Sequence, residues 1–165
     1  MAQTDARKLD AGDQFPEMSL NLVDGSTISI PSGLSADYTV LLGYRGKWWS
    51  HCRRQLADFQ ANISEFDSRN IQIIAFSVDS KEDAQESIDN LGLTFPVGYG
   101  LDHIAFAEAT GAFYEVRRSI IHATEFVLRS DGSVLGSVFS SGPAGRYDVK
   151  AALRVIDFAI SQAAK

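Results

Sequence analysis

Hydrophobic positions along the chain follow two periods that predict a strand, a helix and a second strand in succession. Residues 38–44 (YTVLLGY) and 71–78 (IQIIAFSV) are nearly continuous apolar runs, which is typical of strands buried on both faces of a sheet. Between them, apolar residues recur every three or four positions at Cys52, Leu56, Phe59, Ile63 and Phe66. This period predicts a helix that runs to about Arg69 and packs one face on the sheet. The three segments therefore predict a βαβ unit with a right-handed crossover.

Two pairs of alternating segments predict β-hairpins. Residues 19–23 and 27–30 surround Asp24-Gly25, which is a strong hairpin turn signal. Residues 124–128 and 134–139 surround the turn sequence SDG in the same way. One hairpin is therefore expected at the N-terminal end of the fold, and the other after the βαβ unit.

Capping signals predict three further helices. Ser80 begins a helix that runs through Asn90, and residues 104–110 form a short helix. After a turn at residues 142–145, Asp148 caps the last helix. Its buried stripe is predicted to consist of Val149, Leu153, Ile156 and Ile160. The order of elements predicts an α/β fold with a central mixed β-sheet, helices on both faces and an N-terminal β-hairpin.

Length and charge restrict the domain count and the partners. A chain of 165 residues with 45% hydrophobic content is long enough for one sizeable core, so residues 1–165 are expected to form a single domain. The net charge of −6 argues against nucleic acid or an anionic membrane as a partner. No apolar run approaches the roughly 20 residues that span a bilayer, and the N-terminal segment lacks the apolar core of a signal peptide. A soluble cytoplasmic protein is expected.

The single cysteine, Cys52, is the strongest candidate for chemistry. With one cysteine the chain forms no internal disulfide, and the three histidines are too scattered to predict a metal site. Cys52 falls in or near the first turn of the predicted helix, where unpaired amides and the helix dipole stabilise a thiolate. Four neighbouring side chains add positive charge: Arg45, Lys47, Arg53 and Arg54. This setting is typical of a nucleophilic cysteine.

Structural interpretations of the same residues are also open. A free cysteine is often a small buried core residue, so Cys52 has a purely structural alternative. His51 is either a proton donor or, as we favour, a surface residue at the start of the helix. Trp48 and Trp49 are expected to pack in the core or at its rim rather than to bind a ligand, because aromatic side chains carry a large apolar area.

Several segments of the chain resemble the peroxiredoxin family of alkyl hydroperoxide reductases and thiol-specific antioxidant proteins, which has a thioredoxin-like fold. The matching segments are AGDQFPEMSLNLVDGSTISI, YRGKWWSHCRRQL with the strand before it, IIAFSVDS, LTFPVGYGLD, FVLRSDGSV and SSGPAGR. Each segment is a weak motif by itself. Their order and spacing extend over nearly the whole chain and make the resemblance fairly specific.

The resemblance implies a role for Cys52 and the partners of its reaction. Thioredoxin-like disulfide reductases begin this helix with Cys-x-x-Cys and attack with the first cysteine, whose position here is Trp49. Peroxiredoxins keep their peroxide-attacking cysteine at the second position, which here is Cys52. Cys52 would attack hydrogen peroxide or an organic hydroperoxide and become a sulfenic acid, which an external thiol, thioredoxin- or glutathione-like, would reduce. No cofactor is implied, and a homodimer is expected from family analogy alone.

Near this cysteine the sequence departs from the peroxiredoxin pattern. The family generally places threonine or serine three residues before the cysteine and proline seven before, where this chain has Trp49 and Arg45. A late arginine of the family, which polarises peroxide and thiolate, corresponds most closely to His122 or Ala123. Two arginines of the preceding segment either reach the site or lie in a solvated loop: Arg117 and Arg118.

These departures leave two alternatives to an active one-cysteine peroxidase. The first is a binding or interaction protein with a thioredoxin fold that has lost the chemistry and uses the tryptophans and Cys52 to hold a ligand. The second is a monothiol protein that forms mixed disulfides with glutathione. Low reactivity of Cys52 would favour the first, and a mass increase with oxidised glutathione would favour the second.

Overall fold

The computed structural model describes residues 2–4, 6–142 and 145–165. Within these ranges the strands are β1 (Met18–Leu22), β2 (Thr27–Ile30), β3 (Tyr38–Gly43), β4 (Ile71–Phe76), β5 (Val97–Tyr99), β6 (Tyr114–Glu115), β7 (Ile120–Ile121), β8 (Thr124–Arg129) and β9 (Val134–Phe139). The helices are α1 (Ser50–Ala61), α2 (Ile63–Asp67), α3 (Lys81–Leu91), α4 (His103–Thr110) and α5 (Val149–Ala163). None of these helices is long and apolar enough to cross a membrane.

Seven of the strands form one mixed sheet in the order β2-β1-β5-β4-β3-β8-β9. The neighbours β3, β4 and β5 run parallel, whereas β8 and β9 on one side and β1 and β2 on the other pair antiparallel. At the centre of the sheet, β3 and β4 are buried along almost their whole length, as their continuous apolar runs predicted. The expected α/β fold with a central mixed sheet is therefore confirmed.

Hydrophobic cores lie on both faces of the sheet. On one face, α1, α2, α3 and α5 pack against it, with Phe59 and Ile156 among the buried residues. On the other face, α4 contributes Phe106, which packs edge to face on Phe76 with ring centroids 5.3 Å apart. The expected arrangement of helices on both faces is confirmed.

Local sequence signals correctly predicted most of the remaining elements. Antiparallel pairing of β1 with β2 and of β8 with β9 confirms both hairpins. The Ser80 hydroxyl accepts a hydrogen bond from the amide of Asp83 at 3.1 Å, and Gly92 ends α3 in the left-handed conformation. The carboxylate of Asp148 accepts one from the amide of Ala151 at 2.6 Å and caps α5. These polar side chains pair with the orphan amides that begin each helix, so the predicted starts are confirmed.

The predicted helix to Arg69 is wrong, because it is interrupted at Asn62. There the backbone leaves the helical region (φ −109°, ψ 19°), and α2 begins at the next residue. The Asn62 side-chain amide donates to the carbonyl oxygen of Asp58 at 2.8 Å. An asparagine side chain that bonds a main-chain carbonyl four residues earlier offers the backbone an alternative to the regular helix, and a period of apolar residues does not reveal this.

The predicted stripe of α5 is confirmed at Ile156 and wrong at Ile160, while Val149 and Leu153 are half-buried and pack against the core. Ile160 is 38% exposed, whereas Ala152, Ile156 and Ala159 are buried. Two of the three buried residues are alanines, so the face that packs closely on β8 and β9 carries little apolar volume, and the larger residues lie beside it.

Two features fall outside the sequence-based expectations. Strands β6 and β7 pair as a separate two-stranded ribbon in a stretch where the sequence predicted no element, because strands of two residues are too short to show a period. The predicted turn at residues 142–145 lies partly outside the described residues, since positions 143 and 144 are not among them.

Candidate functional site

Cys52 lies in the first turn of α1, as predicted. Trp49 is the N-cap residue, with an extended backbone (φ −94°, ψ 115°), so Cys52 is the third residue of the helix. The cysteine has no exposed surface. Its sulfur therefore lies at the positive end of the helix dipole in a site from which bulk water is excluded, and there a nearby charge acts more strongly than in water.

A short loop between β3 and α1 directs a main-chain amide at the sulfur. The Arg45 amide donates to Cys52 Sγ at 3.4 Å. The next residue, Gly46, has a φ of 152°, and a Cβ there would lie 3.0 Å from Asp79 Oδ1. Asp79 Oδ2 in turn accepts a hydrogen bond from the Lys47 amide at 2.8 Å. Asp79 thus fixes the loop that carries the Arg45 amide, while burial raises the pKa of its carboxyl group.

A guanidinium group provides the second donor to the sulfur. Arg146 Nη2 lies 2.9 Å from Cys52 Sγ. Arg146 belongs to the segment between β9 and α5 and reaches the cysteine across 94 positions of sequence. A guanidinium and a main-chain amide therefore both donate to the same sulfur.

A buried carboxylate joins the Arg146 segment to α1. Glu125 on β8 has no exposed surface, and its Oε1 accepts a hydrogen bond from the Tyr147 amide at 2.6 Å. Its Oε2 accepts one from Gln55 Nε2 at 2.6 Å, and the same Gln55 nitrogen donates to the Tyr147 carbonyl oxygen at 3.1 Å. Burial raises the pKa of Glu125 to about 7, against the lowering effect of these hydrogen bonds and of the Arg146 charge.

A second buried carboxylate, Glu115, organises the opposite side of the Arg45 loop. Its Oε2 lies 2.9 Å from His122 Nε2 and 3.5 Å from Arg45 Nη2, and its Oε1 lies 3.1 Å from Arg118 Nε. Burial and then the Arg45 charge lower the pKa of His122, so the neutral imidazole is favoured near pH 7. The structure therefore brings Arg118 and His122 together around Glu115 rather than against the sulfur.

Trp49 connects this cluster to the cysteine helix. The Arg45 guanidinium carbon lies 3.7 Å from the centroid of the Trp49 ring, and that of Arg118 lies 5.3 Å from it. Both distances are within the range of cation–π attraction. Trp49 thus stands at the position where the peroxiredoxin pattern generally has threonine or serine. Its half-buried ring lies between the start of α1 and the two arginines.

The two remaining sequence candidates lie at the surface of the site. His51 is exposed, which agrees with the surface interpretation. Trp48 is 79% exposed, so the expectation of core packing is wrong for this residue, and its ring lies 4.4 Å from Lys47 Nζ. Lys47 itself pairs with two acidic residues of α3, which hold it beside the indole.

Sequence reasoning did not identify several residues that complete the site: Arg146, Glu125, Gln55 and Glu115. Weak signals for three of them were present. Gln55 follows Cys52 by three positions on the same helix face, Glu125 is a lone acidic residue in an apolar strand, and Arg146 lies in one of the segments that resemble the peroxiredoxin family. Their distances from Cys52 became visible only in the folded chain.

Comparisons with known proteins give a consistent result. The model of the AhpC/TSA family matches residues 11–136. The peroxiredoxin-named protein Rv2521 of Mycobacterium tuberculosis is 27% identical over 158 residues, which cover 90% of this chain and 91% of the relative. Among solved structures, Mycobacterium tuberculosis AhpC aligns with a TM-score of 0.77 at 22% identity, over 93% of this chain and 99% of that one. Peroxidoxin BcpB of the same organism gives 0.74 at 18% identity, over 93% and 95% of the two chains. At these identities the structural matches show a shared thioredoxin-like fold.

Proposed function

The chain belongs to the AhpC/TSA family, and from this premise we propose that it is a thiol-dependent peroxidase that acts through Cys52. The family and its peroxiredoxin-named relatives support a peroxidase-type oxidoreductase. The proposal adds the nucleophile, the one-cysteine reaction and a single catalytic domain that spans residues 1–165.

In the first step, the Cys52 thiolate attacks one oxygen of a hydroperoxide. A sulfur–oxygen bond forms, the oxygen–oxygen bond breaks, and the other oxygen leaves as an alkoxide or hydroxide that takes up a proton. The sulfur is oxidised to a sulfenic acid and the peroxide is reduced to an alcohol or water. Arg146 and the Arg45 amide stabilise the thiolate before attack, and the guanidinium also offers a donor to the departing oxygen.

The observation that carries the proposal is the 2.9 Å contact between Arg146 Nη2 and Cys52 Sγ. A cysteine that is only a small core residue needs no cation beside it. Placing an arginine against a buried sulfur is costly unless the sulfur carries negative charge, and a thiolate is the reactive form of cysteine. Charge and geometry therefore favour a nucleophile over a structural thiol.

The second step needs a reductant from outside the chain, because Cys52 is its only cysteine. One external thiol displaces water from the sulfenic acid to form a mixed disulfide, and a second thiol releases Cys52 and leaves as the oxidised disulfide. A thioredoxin- or glutathione-like thiol in the cytoplasm fits this chemistry. Homodimer formation is proposed from family analogy.

A second candidate function is a binding protein of the same fold without peroxidase chemistry. The complete burial of Cys52 favours it, because a peroxide needs a path to the sulfur. A monothiol protein that forms mixed disulfides with glutathione faces the same restriction. The rates at which small and large reagents modify Cys52 distinguish these two candidates from the peroxidase.

Stopped-flow tryptophan fluorescence after mixing with peroxide tests the proposal, because Trp48 and Trp49 precede Cys52 by only four and three positions. We expect a change whose rate rises linearly with hydrogen peroxide or organic hydroperoxide, and a product one oxygen atom heavier. The matched variant Cys52→Ser should show neither. Peroxide consumption no faster than in this variant would contradict the peroxidase, and a mass increase with oxidised glutathione alone would favour the monothiol candidate.

A further inference from the structure

Glu125 is a buried acidic residue that the proposed chemistry does not use directly. It lies on β8, where its partners across the sheet are Leu42 of β3 and Val138 of β9, both apolar. An ionisable side chain with no exposed surface in such a position carries a large desolvation cost. The contacts of its two oxygens show what the residue holds in place.

Each carboxylate oxygen accepts a hydrogen bond from a different element. Oε1 accepts from the main-chain amide of Tyr147, and Oε2 accepts from the Gln55 side chain on α1, both at 2.6 Å. Because a protonated oxygen would place its hydrogen against one of these donors, the arrangement suits the ionised carboxylate. The Gln55 nitrogen also donates to the Tyr147 carbonyl oxygen at 3.1 Å, so the three residues form a closed set of hydrogen bonds.

The two residues that Glu125 holds are the sequence neighbours of the sulfur site. Tyr147 directly follows Arg146, whose guanidinium lies 2.9 Å from Cys52 Sγ. Gln55 follows Cys52 by three positions on the same helix face. The carboxylate therefore connects the segment that carries the cation to the helix that carries the nucleophile.

We propose that Glu125 is a positioning residue that keeps Arg146 against Cys52 Sγ. The inference deepens the proposed function and rests on it. Among the residues that the structure describes, the charged and titratable groups that face Glu125 are Arg146 and Tyr147, from the segment before α5. Helix α1 presents the neutral Gln55, and the two neighbouring strands present apolar residues. The ionised carboxylate also attracts the Arg146 guanidinium and favours its approach to the sulfur.

A double-mutant cycle with Glu125→Gln and Arg146→Gln tests this role. Glutamine accepts the Tyr147 hydrogen bond but presents an amide nitrogen to the Gln55 nitrogen, so two donors face each other. The readout is the rate at which iodoacetamide alkylates Cys52, followed by whole-protein mass, since the chain has no other cysteine. We expect each single variant to slow alkylation between roughly tenfold and a hundredfold, because a displacement of about 1 Å can cost about a hundredfold.

The proposal also predicts that the double variant is no slower than Arg146→Gln alone, since Glu125 acts through Arg146. In the wild type, the alkylation rate should rise by a step near pH 7 that Glu125→Gln lacks. Two effects that multiply in the double variant would overturn the proposal. Equal alkylation rates in the wild type, the two single variants and the double variant would also overturn it, whether those rates are high or nil.

Thr110→Val is the matched control. It removes a buried hydroxyl that donates to the Phe106 carbonyl oxygen at 2.7 Å, on a helix that packs on the other face of the sheet. We expect a loss of stability but an unchanged alkylation rate. If Glu125→Gln does not fold, Glu125→Asp replaces it in the cycle with the same expected alkylation rates at a single pH, because it keeps the charge and withdraws it from the Tyr147 amide. Aspartate also titrates, so the pH step is not expected to disappear in this variant.

The alkylation cycle involves no peroxide and therefore separates the two proposals. A wild type that consumes no peroxide would contradict the proposed function and leave the coupling between Glu125 and Arg146 measurable. A protein that consumes peroxide but shows no such coupling would contradict only the role of Glu125.

Discussion

Replacing Arg146 by glutamine removes the cation that lies 2.9 Å from Cys52 Sγ and keeps most of the side-chain volume. A hydrogen bond to a charged group contributes about 1.5–3 kcal/mol, and about 1.4 kcal/mol corresponds to a factor of ten in rate. The second-order rate of peroxide reduction is therefore expected to fall between about tenfold and about 150-fold. Stopped-flow tryptophan fluorescence measures this rate directly.

Two further variants make the measurement specific. Arg129→Gln removes an exposed arginine from the end of β8 and should react at the wild-type rate. Arg146→Lys keeps the charge but loses the fork of donors, so an intermediate rate is expected. If Arg146→Gln reacts within twofold of the wild type while remaining folded, the guanidinium does not assist the sulfur and the reasoning is refuted.

Three other predictions concern stability. The pKa of Glu125 is raised from 4.5 to about 7, so the folded chain holds the carboxyl proton more tightly than the unfolded chain does. The free energy of unfolding should therefore fall by up to about 3 kcal/mol as the pH rises from 4.5 to about 7. Denaturation at several pH values checks this, and an equal slope in Glu125→Gln would contradict it. A Cβ at position 43 would lie 2.7 Å from the main-chain carbonyl oxygen of Thr124 in the centre of the sheet, so Gly43→Ala should lower the free energy of unfolding by about 1–3 kcal/mol in urea. An unchanged midpoint would refute this reading of the contact. Trp49→Ala removes a ring that stacks on a buried guanidinium and should lower the free energy of unfolding by about 2 kcal/mol. Trp48→Ala, at a 79% exposed position, should lower it by less than about 0.5 kcal/mol. Similar losses in the two variants would contradict the assigned environments.

Much of the fold could be predicted because its signals are local. The cap at Ser80 and the turn between β8 and β9 depend on residues a few positions apart, and both were identified correctly. The position of Cys52 in the first turn of α1 followed from the same kind of signal, namely the change from a continuous apolar run to a helical period. The break at Asn62 was missed because it accompanies a side-chain hydrogen bond that a period of apolar residues does not show.

The contacts around the sulfur could not be predicted in the same way. Arg146 is 94 positions from Cys52, and Glu125 is 70 positions from Gln55. A sequence period gives the face of an element but not which distant residue packs on it. Arg118 and His122 were reasonable candidates by position, yet both side chains lie within 3.1 Å of the buried Glu115 carboxylate rather than against the sulfur.

The hydrogen bond from the Arg45 amide to the sulfur responds to mutation differently from the contacts that side chains make. This donor belongs to the backbone, so any amino-acid substitution at position 45 keeps it except a change to proline, which has no N–H group. The peroxiredoxin pattern generally has proline at this position, and a proline could not make this amide contact. Natural variation can therefore alter the side chain at position 45, and its pairing with Glu115, while the bond to the sulfur persists.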